Sequence, residues 1–63
     1  MDKDERRAFL RWAEEESDEE LEMKSVQLAA FISTIRQSDA RADAKWLMRV
    51  IQREITARRE IQS

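Results

Sequence analysis

Apolar residues recur along this chain at the three- and four-residue spacing of helices. Placed at steps of about 100°, Phe9, Trp12 and Ala13 form one narrow stripe with Leu10 on its flank. The next segment carries a front stripe of Leu21, Leu28, Phe31, Ile32 and Ile35. Almost opposite lies a back stripe of Met23, Val26 and Ala30. The last segment centres on Ala44, Leu47, Met48, Ile51 and Ile55. Trp46, Val50, Ala57 and Ile61 widen its apolar arc well beyond the roughly 100° that a single neighbour requires. The second and third segments therefore each call for two neighbours.

Glycine and proline are absent, so helix ends must be read from capping residues. Ser17-Asp18-Glu19-Glu20 has the spacing of a capping box, in which the serine hydroxyl accepts from the Glu20 amide and the Glu20 carboxylate reaches back to the serine amide. Ser38-Asp39 offers a second cap, and Asp2 or Asp4 can cap the first turn. The pattern predicts one all-α domain over residues 1–63, with helices near 3–15, 18–36 and 39–61.

At about 1.5 Å per residue the first helix is roughly 20 Å long, against roughly 28 and 35 Å for the others, so it cannot cover them both. The short connection at residues 37–39 makes the second and third helices an antiparallel hairpin. A chain of this size buries only about 60% of its unfolded surface, and with no Cys or His neither a disulfide nor a transition metal is expected to reinforce it. The expectation is a homodimer, a helical bundle closed through Met23, Val26, Ala30, Leu47, Ile51 and Ile55, with the first helix as a flanking arm. A self-sufficient three-helix bundle is the alternative.

Composition narrows function mainly by exclusion. Twelve Lys and Arg face fourteen Asp and Glu, and apolar and charged residues each make up 41% of the chain. The longest uncharged run, residues 25–35, is far short of the roughly 20 residues that span a bilayer, so no membrane segment is expected. The opening Met-Asp-Lys-Asp-Glu is acidic where a secretory signal would be basic, and a cytoplasmic location is the expectation. Histidine-based acid–base chemistry, cysteine nucleophiles and glycine-rich phosphate loops are all unavailable. Residues 14–22 pack seven acids into nine positions, yet no calcium-loop pattern accompanies them and they fit the dipole and cap of a helix start. No catalytic residue, metal or cofactor is assigned.

Charge is unevenly spread. Residues 1–31 hold ten acids and five bases, net −5, while residues 32–63 hold four acids and seven bases, net +3, for −2 in all. Arg41, Lys45, Arg49 and Arg53 recur every four residues as a slowly winding basic ridge that could lie against phosphates. In length and hairpin arrangement the chain resembles the repressor-of-primer proteins of plasmids, dimeric helical hairpins that bind RNA. It shares no sequence motif with them, so the resemblance implies architecture alone. Trp12 and Trp46 combine large apolar area with an indole N–H, a combination enriched at interface centres. With Phe9 and Val50 they are the expected contact for a larger protein partner. The functional expectation is a small non-enzymatic regulator, inhibitor or adaptor, of bacterial or phage origin, acting through helix faces. The alternative is a nucleic-acid-binding regulator that uses the ridge.

Overall fold

In the computed structural model, which describes residues 1–62, three helices follow one another: α1 (Lys3–Glu15), α2 (Asp18–Thr34) and α3 (Ser38–Gln62). The caps explain the boundaries. Asp2 accepts from the Glu5 amide at 2.8 Å and opens α1, and Ser17 Oγ accepts from the Glu20 amide at 3.2 Å and opens α2. Only half of the expected capping box forms, since the return bond to the Ser17 amide is not made. Without glycine the helices end by turning extended, at Glu16 (φ −83°, ψ 157°) and at Ile35 (φ −76°, ψ 136°).

Two helix ends differ from the sequence expectation. α2 stops at Thr34 rather than at residue 36, where Ser33 and Thr34 hydroxyls both donate to the Ala30 carbonyl and compete with continuation of the helix. α3 begins one residue early, at Ser38. The Gln37 carbonyl accepts from the Arg41 amide at 3.0 Å, which places Ser38 inside the first turn instead of at the cap.

The core is a single cluster of Ala13, Leu21, Leu28, Ala44 and Ile51, with Leu21 and Ile51 fully enclosed. α3 is the spine: α2 packs along one side of it and α1 along another, while α1 and α2 make almost no contact with each other. A closed three-helix bundle would need that third contact. The Cα positions extend over 39 × 25 × 15 Å, and the shortest extent is about what two helices side by side give, an axis spacing of roughly 8–10 Å plus the roughly 4.6 Å width of one Cα cylinder. The all-helical class and the α2–α3 hairpin are as expected, and among the described residues no helix is long and apolar enough to cross a membrane.

Candidate protein interface

α1 reaches α3 through aromatic rings. Phe9 packs against Trp12 with ring centroids 5.4 Å apart and against Trp46 at 6.3 Å, both tilted. The Arg6 guanidinium lies 5.1 Å above the Trp46 ring, a cation–π contact. Phe9, Trp12, Trp46 and Val50 are all half-buried, so the residues expected to meet a larger partner are brought together as the seam between α1 and α3. The Met1 ammonium, 3.0 Å from Asp43 Oδ2, ties the start of the chain to the same side of α3.

Arg58 locks the corner where α1 passes into α2. Its guanidinium donates to Asp18 Oδ1 at 2.6 Å, to Glu54 Oε1 at 3.1 Å, and to the backbone carbonyls of Ala13 at 3.0 Å and Glu14 at 3.3 Å. Those carbonyls belong to the last turn of α1, where no intrahelical donor reaches them. The hydrogen bond to Asp18 chiefly, with Glu54 adding to it, raises the guanidinium above arginine's ordinary value despite partial desolvation. Sequence reasoning gave Arg58 no role. A signal was there: on the helical wheel it falls about 20° from Ile51, a charge placed on the most buried arc of its helix.

On the opposite flank of α3 the hairpin is open. A groove of about 600 Å³ runs between α2 and α3, with Val26 and Ala29 on one wall, Met48 and Ile55 on the other, and Glu22 and Arg59 at one end. A second depression, of about 400 Å³, shares Met48 and adds Ile32, Lys45 and Arg49 toward the other end. Val26 is 68% exposed and Met23, on the outer side of α2, 50%. Ala30 is exposed as well, while Leu47 and Ile55 are half-buried against the core. Ile51 corrects the expected dimer surface: at 0% exposure inside the chain's own core it presents nothing to a second molecule.

The basic ridge survives in part. Arg41 donates to the Ile32 carbonyl at 3.3 Å and so caps the end of α2, which removes it from a free-standing cationic row. Lys45, Arg49 and Arg53 are exposed. The acids of residues 14–22 are spread over a helix end and a helix start. Among the described residues no three carboxylates converge to hold a metal ion.

Comparison with protein-family models, with curated proteins and with solved structures returns no match. The surfaces of the chain are therefore the ground for a functional reading.

Proposed function

We propose that this chain is a non-enzymatic regulator, inhibitor or adaptor that works as a homodimer and binds a larger protein through its helix faces. The observation that carries the reading is the open α2–α3 groove with Val26 standing exposed on its wall. Surface area supports it. A folded monomer of 7.5 kDa is expected to expose about 4,200 Å², whereas this chain exposes 5087 Å². The surplus, roughly 850 Å², is close to the area of about 800 Å² that each partner buries in a standard interface. A second copy laid on the groove would cover Val26, Ala29, Met48 and Ile55. The larger partner would then meet the remaining face, at the edge formed by Phe9, Trp12, Trp46 and Val50.

Light scattering after gel filtration, repeated over a dilution series, tests the reading. The expected result is twice the chain mass at tens of micromolar and a melting temperature that falls on dilution, because a dimer's stability depends on protomer concentration. Val26→Asp should yield a helical monomer. A wild-type monomer with a concentration-independent melt would refute the dimer.

Nucleic-acid binding by the ridge has less support, since Arg41 is engaged within the hairpin. Three phosphate contacts would give a log-affinity slope near −2.7 on duplex DNA, so binding at low salt should collapse as salt rises. Submicromolar binding at physiological salt, abolished by Arg49→Glu, would favour that alternative.

A further inference from the structure

The charges at the ends of the groove choose between two ways of closing it. Face-to-face packing of two identical hairpins puts the two-fold axis in the plane of contact, either across the helices or along them. If the axis runs across the helices, α2 lies on α2 and α3 on α3, with opposite ends of the groove together. Arg59 of one copy then meets the end of α3 that carries Lys45 in the other, and like charges face each other. If the axis runs along the helices, α2 of each copy lies on α3 of the other and the same ends come together. Glu22 then sits opposite Arg59 of the second copy, and Arg59 opposite its Glu22.

Glu22 and Arg59 fit that role. They line the same end of the groove from opposite walls, both are exposed, and no ion pair closes between them within the chain. Along the rest of the groove the same axis sets the Val26–Ala29 wall of one copy on the Met48–Ile55 wall of the other, small against large. The four helices then alternate in direction around the new core, as in antiparallel bundles.

We infer that the second copy docks with its two-fold axis along the helices, fixed by two symmetric Glu22–Arg59 pairs. This rests on the homodimer reading and adds its orientation. Because each change appears twice per dimer, Glu22→Arg and Arg59→Glu should each weaken dimerisation about threefold to tenfold at low salt, and the exchange variant carrying both should recover most of the loss. Circular dichroism checks that each variant stays helical. The chain has no cysteine of its own, so disulfide trapping reports the orientation independently. An equimolar mixture of Ala29→Cys and Gln52→Cys chains should cross-link as a heterodimer, with little Ala29→Cys homodimer. Dominant Ala29→Cys homodimer, or charge reversals without effect on an intact dimer, would overturn the orientation and leave the dimer standing. A monomeric wild type overturns both.

Discussion

Ile51 and Trp46 lie on the same helix and only one of them is core. Ile51 is fully enclosed where α1, α2 and α3 converge, so Ile51→Ala should cost about 2–5 kcal/mol, read by denaturant unfolding. Trp46 is half-buried, held by Phe9 on one side and Arg6 on another, and its removal loosens only the α1 seam. Trp46→Ala should therefore cost clearly less stability than Ile51→Ala while weakening binding to the larger partner. Equal destabilisation would make the indole core rather than contact surface. Arg58 poses a different question, because its neighbours are backbone carbonyls and carboxylates. Arg58→Met keeps much of the stem and removes the donors, so the melting temperature should fall as the end of α1 loses the hydrogen bonds it takes from Arg58. The raised pKa of Arg58 contributes stability that is whole below arginine's ordinary range and is lost only as pH climbs through the still higher folded-state value. A melt series from about pH 6 to 9 should thus show no transition attributable to this group.

At the scale of the elements, capping chemistry carried most of the information. Ser17 was legible because a hydroxyl three residues before a glutamate at a helix start has one dominant use, and the Ser17–Glu20 bond forms. Ser17→Ala should cost about 1 kcal/mol, measurable as a lowered unfolding midpoint. The end of α2 was harder. Apolar periodicity runs on through Ile35, and nothing in the pattern announces that Ser33 and Thr34 bond back to Ala30 or that Arg41 reaches across to Ile32. The same limit applies to the candidate interface. The two-sided apolar character of α2 pointed to Val26 and Met23, and both are exposed. The wheel could not tell which part of α3's wide arc faces α2 and which faces the groove, so Ile51 was grouped with Ile55 although only Ile55 reaches the groove wall. The sequence shows Glu22 only as one of the acids of residues 14–22 and gives no reason to pair it with Arg59, since only their placement at one groove end sets these two apart.

For the whole molecule, the governing feature is that α1 and α2 each pack on α3 and hardly on each other. The two interfaces run apart along most of α3 and meet at one core cluster, which takes Ala13 from α1 and Leu21 and Leu28 from α2. Native-state hydrogen exchange should show the same division. The amides of α1 would open together at a lower free energy than those of α2 and α3, because releasing α1 breaks the aromatic seam and the Arg58 corner but leaves the hairpin paired. Release of α1 would uncover aromatic residues on α1 and α3, and those are the ones proposed to meet the larger protein.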